Sequence, residues 1–191
     1  HGIPTADFCV CRTEAAAIAA SEEFGFPVVV KADGLAAGKG VTVAPDRETA
    51  RRAIHDAIVD GRFGDAGACL VIERCLEGPE VSLFVVCDGR RGVSLPPAQD
   101  HKRVGDGDEG PNTGGMGAFA PSPLFSDELV SRAMREVVNP VLQGLREEGT
   151  EYRGLLYVGL MLTSDGPHVI EFNVRFGDPE AQVVLPMITS E

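Results

Sequence analysis

Positive charge is scarce in this chain of 191 residues. It carries 17 basic against 29 acidic residues, which gives a net charge of −12 at pH 7. This balance would repel a nucleic-acid backbone or an anionic membrane surface, so we expect no nucleic-acid and no membrane partner. Its apolar runs fall well short of the roughly 18 residues that span a bilayer, and this excludes a transmembrane helix.

Cysteine supplies no structural framework. The five cysteines include no Cys-x-x-Cys pair, so neither a zinc site nor a disulfide scaffold is indicated. Cys9 and Cys11 could lie on one strand face, where we interpret them as small apolar side chains. This usage is typical of a reducing compartment, and we expect a cytoplasmic protein. The chain opens on HGIPTADF, without Met or a signal-peptide pattern, so we expect a fragment of a longer protein.

Lysine is the rarest of the basic side chains. Only three of the 17 basic residues are lysines, namely Lys31, Lys39 and Lys102. Arginine suits most exposed positions equally well, so the retained lysines are candidates for sites that need a compact ammonium group. All three lie in or beside glycine-rich or polar loops.

Helix and strand patterns alternate along the chain. Helix signals predict four helices, which begin after Thr13, Asp46 and Ser126 and near Pro179. The first should end at Gly25 and the third near Gly149, with a kink at Pro140. Strands are predicted over 28–32, 41–44, 69–74, 80–88, 154–163 and 168–176, and an irregular segment over 96–123. Helices interspersed with hairpins favour an α+β fold with antiparallel sheets.

The glycine-rich segment GLAAGKG, residues 34–40, is not a nucleotide P-loop. Its spacing is one residue short, Gly40 replaces the hydroxyl residue, and a strand follows where a P-loop leads into a helix. The segment therefore predicts a hairpin loop flanked by Lys31 and Lys39. Its backbone N–H groups could close over phosphate oxygens, although an ordinary mobile hairpin tip has the same pattern.

The segment HVIEFNVRF, residues 168–176, alternates with period two. This places Glu171, Asn173 and Arg175 on one strand face and His168 with Phe172 on the other. One interpretation is a strand with a solvated side. The other is a Mg²⁺ site formed by a carboxylate and an amide oxygen, with a guanidinium that stabilises charge on a transferred phosphoryl group.

Six segments in this order resemble the ATP-grasp ligases, and more narrowly the phosphoribosylamine-glycine ligase family. They are VVVKADGLAAGKGV, VIERCLEGPEVS, QDHKR, GPNTGGMGAF, VIEFN and RFGDPEAQV, and they cover nearly the whole chain. The resemblance implies one ATP-grasp domain over residues 1–191, with two lobes on antiparallel sheets and ATP bound between them. The lid lobe would cover about 13–82 and the catalytic core about 83–191. Flanking domains of a longer enzyme would complete the protein.

The same resemblance implies a set of nucleotide contacts. Lys31 would meet the ATP phosphates beneath a flap that includes Gly38, Lys39 and Gly40. The hinge would read adenine and consists of Glu73, Arg74, Cys75 and Leu76. Glu80 would accept the ribose hydroxyls, and Arg103 and Asn112 would be further nucleotide-side contacts.

The resemblance also implies a metal and reaction centre. Glu171 and Asn173 would bind Mg²⁺ or Mn²⁺, and Arg175 would lie at the phosphoryl-transfer centre. Many members carry a second acidic ligand on the neighbouring strand, where this chain has Gly159, Leu160 and Met161. Either Asp100 or Asp178 would orient a substrate.

The implied activity is a ligation driven by ATP. Glycine would be activated as glycyl phosphate, and 5-phosphoribosylamine would then take the glycyl group. Two alternatives stay open. The chain could belong to a carboxylate-amine ligase for another acid and amine, or it could be an ATP-binding module that is inactive without its flanking domains.

Overall fold

Two structural units divide the chain between Leu76 and Glu77. The structure is a computed structural model that describes residues 1–36, 40–101, 103–105, 109–113 and 115–189. The N-terminal unit is Ala6–Leu76, and the C-terminal unit combines His1–Thr5 with the chain from Glu77 onward. The division precedes residue 82, the predicted limit of the lid lobe, because the strand that starts at Glu80 pairs entirely within the C-terminal unit.

The N-terminal unit is a four-stranded antiparallel sheet with two helices. Its strands, in the order β1-β4-β2-β3, are β1 Phe8–Cys11, β2 Val28–Ala32, β3 Val41–Ala44 and β4 Leu70–Arg74. Helix α1 covers Glu14–Phe24, helix α2 covers Arg47–Ile58, and a 3₁₀ turn covers Gly64–Gly67. The predicted hairpin of β2 and β3 is confirmed.

Both helices begin at the predicted capping residues. The Thr13 hydroxyl accepts a hydrogen bond from the Ala16 N–H at 3.2 Å, and the Asp46 carboxylate accepts one from Thr49 at 2.8 Å. The bond from the Thr49 N–H lowers the pKa of Asp46. α1 ends at Gly25, whose φ of 78° is open mainly to glycine. These caps fix the helix bounds independently of the sheet.

The helices cover one face of this sheet. Alternate strand residues, including Val28, Val30, Leu70 and Ile72, pack against Ile54 of α2 in a single buried cluster. Cys11 belongs to this cluster and Cys9 packs against it, which confirms their interpretation as apolar side chains. Burial raises the pKa of the Cys11 thiol, and this favours the unreactive protonated form.

The C-terminal unit contains the remaining strands and helices. Its strands are β5 Glu80–Asp88, β6 Gly92–Ser94, β7 Gln99–Asp100, β8 Arg103–Gly105, β9 Glu109–Asn112, β10 Ala118–Phe119, β11 Arg153–Thr163 and β12 Gly166–Asn173. Its helices are α3 Asp127–Ala133, α4 Asn139–Glu147 and α5 Glu180–Val184. The main sheet has the order β12-β11-β5-β6. All named strand pairs in the described residues are antiparallel, and the α+β prediction is confirmed.

Two predictions within this unit differ from the structure. The segment 96–123 was expected to be irregular, but it contains two small ribbons, β7 with β10 and β8 with β9. Strands of two to four residues are too short to show an alternating pattern. The helix that starts at Ser126 changes to π-type bonding over Met134–Val138, just before Pro140, whose nitrogen has no hydrogen to donate.

None of the helices in the described residues is long and apolar enough to cross a membrane. The longest continuous helical stretch, formed by α3, the π-type segment and α4, runs from Asp127 to Glu147.

An exposed ion pair between the two N-terminal helices predicts a pH-dependent stability. The Nδ1 atom of His55 lies 2.9 Å from the Glu14 carboxylate, and this hydrogen bond raises the pKa of His55 above 6.5. The folded state therefore favours the protonated ring. The stabilisation is complete below pH 6.5 and is lost as the pH rises through the raised pKa.

Thermal denaturation of the wild type and His55→Gln from pH 5.5 to 8.5 checks this effect. We expect the difference in melting temperature to shrink as the pH rises. Arg52→Gln is the control, because it breaks the Arg52–Glu48 pair on the same helix without removing a group that titrates in this range. A His55→Gln difference that stays constant with pH would contradict the prediction.

Candidate functional site

The sheet face opposite the N-terminal helices is apolar and half exposed. Its outer strands present Phe8, Val10, Val41 and Val43, each with slightly more than half of its surface accessible. The neighbours of these residues along the strands face the helices, so the alternation itself creates the open face. Such a surface can pack against a flat apolar ring.

One ion pair interrupts this apolar face. Lys31 on β2 and Glu73 on β4 approach to 2.7 Å between Nζ and Oε2, and each side chain is about one-fifth exposed, at 21% and 19%. The two residues flank the core residues Val30 and Ile72 in sequence, and for that reason they point away from the helices. A shielded ammonium and a carboxylate within an apolar surface provide the few convergent polar groups that orient a small ligand.

The predicted hinge residues do not all point to this face. The Arg74 Nε lies 3.4 Å from Asp7 Oδ2, and its guanidinium is 5.6 Å from the ring centre of Phe24 on α1. The Cys75 thiol lies 3.7 Å from the Leu76 carbonyl oxygen. The side chain of Arg74 is therefore engaged beside α1, so a ligand on the open face would meet the Glu73 side chain and the main chain of this segment.

Glycine is required at both ends of the loop between β2 and β3. A Cβ atom at Gly34 would lie 2.6 Å from the Cα of Ala66, and one at Gly40 would lie 2.6 Å from the Cβ of Ala36. The Gly40 carbonyl accepts a hydrogen bond from Ala32 at 2.8 Å. The close approach of Ala66 and Ala36 therefore explains these glycines. Gly38 and Lys39 lie outside the described residues.

Cross-strand register brings the predicted metal ligands together in the C-terminal unit. Glu171 lies opposite Gly159, which lies opposite Ser82; Asn173 lies opposite Tyr157. Residues directly opposite each other in antiparallel strands point to the same face. Glu171 and Asn173 therefore share one face, as predicted. Glu80, opposite Met161, lies on that face as well.

A β-bulge changes the alternation that the sequence suggested. Val169 pairs with Leu160 and Glu171 pairs with Gly159, so Ile170 is the extra residue of the bulge. As a result His168, opposite Met161, lies on the same face as Glu171. The prediction that His168 faces the other way was wrong.

Arg175 is not part of the strand. β12 ends at Asn173, and Arg175 is exposed two residues later, where its Nη1 donates to the Phe176 carbonyl oxygen at 2.9 Å. The prediction that Arg175 continues the strand face was wrong, because the alternating sequence runs beyond the point at which β11 pairs with it. Arg175 remains adjacent in sequence to the predicted metal ligands.

Gly159 leaves room for the side chain of Glu171. A Cβ atom at position 159 would lie 3.1 Å from the Cγ of Glu171, closer than most side chains approach. The sequence alone shows only that position 159 lacks the acidic ligand found in many family members. The strand register shows in addition that the absence of a side chain at Gly159 lets Glu171 lie across β11.

The donor set fits a magnesium or manganese ion that is bound only in part by protein. A carboxylate and an amide oxygen on one face are hard oxygen ligands. The described residues contain no group of three or more His, Cys, Asp or Glu side chains that could hold a metal ion. Mg²⁺ commonly takes one or two protein ligands and completes its shell with water and phosphate oxygens. The site matches that pattern.

The segment after β12 packs back over the same face. Phe176 lies 5.6 Å from Phe84 between ring centres, and Val184 of α5 enters the same buried cluster. Asp178 is exposed, and its Oδ1 accepts a hydrogen bond from Gln182 at 2.7 Å. Asp100, the other substrate candidate, is half-buried opposite Ala118 in the β7–β10 ribbon.

This packing reveals two polar residues that the sequence pattern did not indicate. Glu180, in the first turn of α5, is only 4% exposed, and the buried Ser82 donates a hydrogen bond to it at 3.2 Å. An acidic residue in the first turn of a helix is ordinary, so its burial was not visible in the sequence.

The remaining predicted contacts are only partly described. Arg103 and Asn112 lie directly opposite each other in the β8–β9 ribbon. Their side chains, together with Lys102, lie outside the described part of the chain.

Comparison with known protein sequences points to a single family. A family model described as phosphoribosylglycinamide synthetase, ATP-grasp (A) domain, matches residues 1–181. Curated phosphoribosylamine–glycine ligases match the whole chain, with 53% identity in Streptococcus pneumoniae and 52% in Caulobacter vibrioides. The chain spans 46% and 44% of those two relatives, which is less than half of their length.

Solved structures agree at the level of the fold. The crystal structure of phosphoribosylamine–glycine ligase from Thermotoga maritima has a TM-score of 0.89 and 39% identity, covering 97% of this chain and 47% of that one. A biotin carboxylase from Campylobacter jejuni has a TM-score of 0.72 at 16% identity, covering 95% of this chain and 39% of that one. The second likeness concerns the fold alone.

Gly159→Ala should lower the affinity for a divalent cation about tenfold. Substituting residues that orient metal ligands typically lowers metal affinity by about 10- to 100-fold, and we expect the lower end of that range. The added methyl group would push Glu171 away from its position across β11. Titration of the full-length protein with Mn²⁺ in the presence of a non-hydrolysable ATP analogue measures this affinity. Gly117→Ala is the control, since a Cβ there meets nothing within 4 Å. Equal Mn²⁺ affinity in Gly159→Ala and wild type would contradict the prediction.

Proposed function

The chain belongs to the phosphoribosylglycinamide synthetase ATP-grasp domain family, and we propose that the full-length protein joins glycine to 5-phosphoribosylamine with the consumption of ATP. The products are glycinamide ribonucleotide, ADP and phosphate, in purine biosynthesis in the cytoplasm. The observation that carries the proposal is that Glu171 and Asn173 share one face of the C-terminal sheet, in a chain that matches ligases of this name over its whole length.

The nucleotide contacts follow from the polar groups of each unit. The apolar face around Lys31 and Glu73 suits adenine, with the ammonium directed to the phosphates and the main chain of 73–76 to the edge of the base. Glu80 of the C-terminal unit accepts the ribose hydroxyls. Gly38, Lys39 and Gly40 form the flap over the phosphates, and Arg103 and Asn112 add contacts on the nucleotide side.

Glu171 and Asn173 hold Mg²⁺ or Mn²⁺ through a carboxylate and an amide oxygen. When bound, such a cation neutralises phosphate charge and holds the phosphate oxygens in position. Arg175 is exposed just past these ligands and presents a guanidinium that can stabilise negative charge on the transferred phosphoryl group.

The proposed reaction has two steps. A carboxylate oxygen of glycine attacks the γ-phosphorus of ATP, and the bond to the ADP oxygen breaks to give glycyl phosphate. The amine of 5-phosphoribosylamine then attacks the carbonyl carbon, loses a proton, and the carbon–oxygen bond to phosphate breaks. The protein contributes position and charge neutralisation, and it supplies no covalent nucleophile.

The amine site depends on more than this chain. Asp178, held by Gln182, or Asp100 orients glycine or the amine within the C-terminal unit. The flanking domains of the full-length protein complete the phosphoribosylamine site, since the chain spans less than half of its curated relatives. The flap excludes water from glycyl phosphate, because acyl phosphates hydrolyse readily.

The function is tested with the full-length protein, ATP, Mg²⁺ and 5-phosphoribosylamine. Phosphate release and product formation are measured for glycine and for a panel of other amino and carboxylic acids. We expect turnover with glycine and little with the other acids. Preference for another acid would indicate a different carboxylate-amine ligase, and nucleotide binding without phosphate release would indicate a binding protein.

Arg175→Ala should lower kcat about 100-fold or more, with little change in the KM for ATP, because the loss falls on charge that develops during transfer. Steady-state phosphate release by the full-length protein measures both constants. Arg153→Ala is the matched control, since Arg153 is also an exposed arginine and pairs with Glu151 at the start of β11. An unchanged kcat in Arg175→Ala would contradict the assigned role.

A further inference from the structure

A buried polar cluster lies beside the proposed metal ligands and has no part in the function argued above. It consists of Ser82 on β5, Tyr157 on β11 and Glu180 on α5, which are 2%, 4% and 4% exposed. The Ser82 Oγ atom lies 3.2 Å from Glu180 Oε1 and 3.0 Å from the Tyr157 hydroxyl. The cluster therefore joins three elements of the C-terminal unit.

The hydrogen bonds in this cluster have a defined direction. A hydroxyl carries one proton, and Ser82 donates its proton to the Glu180 carboxylate. Tyr157 must then donate to Ser82, so the chain of bonds runs from Tyr157 through Ser82 to Glu180. Acidic side chains are almost never fully buried unless they are paired. Packing alone does not account for Glu180.

Glu180 also contacts the backbone of the reactive segment. A Cβ atom at the buried Gly177 would overlap the Glu180 carboxylate, lying 2.5 Å from its Cδ and closer still to Oε2. Only glycine leaves space for the carboxylate there. The Gly177 carbonyl accepts a hydrogen bond from Ala181 of α5 at 3.1 Å. The carboxylate and the helix therefore hold the backbone at a point between Arg175 and Asp178.

The other end of this segment is fixed by the sheet. Asn173 is the last residue of β12 and lies opposite Tyr157, while Ser82 is in the same cross-strand row as Gly159 and Glu171. Tyr157 and Ser82 thus neighbour the proposed metal ligands across the strands, and Ser82 also holds Glu180. The six residues between Asn173 and Glu180 are anchored at both ends.

We propose that Glu180 is a positioning residue: held by Ser82 and packed on Gly177, it fixes the segment of Arg175 and Asp178 relative to Glu171 and Asn173. This proposal rests on the proposed function, because it gives Arg175 a defined place before the phosphoryl group transfers. Catalytic groups need such support, since a misplacement of about 1 Å can cost about 100-fold in rate.

The test compares Glu180→Ala, Glu180→Gln and Gly177→Ala in the full-length protein. Glu180→Ala removes the anchor, and Gly177→Ala displaces the carboxylate while leaving Glu180 and Ser82 intact. Glu180→Gln retains an oxygen that can accept from Ser82. We expect kcat to fall about 10- to 100-fold in the two alanine variants, with partial rescue in Glu180→Gln. The KM for ATP should stay within about twofold, because neither Glu180 nor Gly177 is among the proposed nucleotide contacts.

A matched control separates positioning from stability. Ser21 is a buried serine in α1 whose hydroxyl donates to the Ile18 carbonyl, so Ser21→Ala removes a comparable bond from the N-terminal unit. We expect it to lower the melting temperature without changing kcat. If Glu180→Ala does not fold, Ser82→Ala replaces it in the test. In the double variant Ser82→Ala with Glu180→Gln, the two effects on kcat should not be additive, because both act on the same hydrogen bond.

Each outcome has a defined meaning. If kcat stays at the wild-type value while the melting temperature falls, Glu180 is a packing residue and the proposal is overturned. A change confined to the KM for ATP also overturns it. If the wild type does not turn over glycine, the proposed function itself is refuted. This measurement on the wild type is independent of the comparison among the variants.

Discussion

The pairing of β12 with β11 is the constraint on which the candidate site depends. It places Glu171 opposite Gly159 and Asn173 opposite Tyr157, so that both side chains share one face. The bulge at Ile170 decides which face that is, because a shift of one residue in a strand moves every side chain to the opposite face. Had the alternation from Val169 continued without the bulge, Glu171 would share the face of Val169, which is buried in the core.

Much of the architecture was predictable because its signals are local. Thr13 and Asp46 mark helix starts through bonds that span three residues, and strand-like apolar runs identified β2, β3 and β5 with the bounds that the structure shows. The bulge and the end of β12 were not predictable in this way. They depend on where β11 pairs, and that information lies outside the segment 168–176.

Buried contacts were the other gap between sequence and structure. Glu180 looks like an ordinary acidic residue in the first turn of a helix, and its contact with Ser82 joins residues 98 positions apart. The role of Gly159 depends on Glu171 in the same way, since the two meet only across strands. Motif resemblance indicated the region of the site, but the spacing of residues along the chain does not carry distances between strands.

The ion pair between Lys31 and Glu73 favours function over stability. For Lys31 and Glu73, attraction at an effective dielectric of about 20 is worth roughly 4 kcal/mol at 4 Å, which is similar to the several kcal/mol lost when buried charges leave water. The pair therefore contributes little net stability but holds an ammonium on an apolar face.

The acidic face of the C-terminal sheet requires a different explanation. Glu80 and Glu171 share it, and Glu180 of α5 is buried against it, in a protein whose net charge is already −12. The hydroxyl of Ser82 satisfies Glu180 internally, whereas Glu171 is exposed above Gly159. A divalent cation bound at the proposed site would relieve the repulsion between Glu171 and its acidic neighbours. On the proposals made above, Glu180 of α5 maintains the geometry, whereas Glu171 on the sheet would bind the metal.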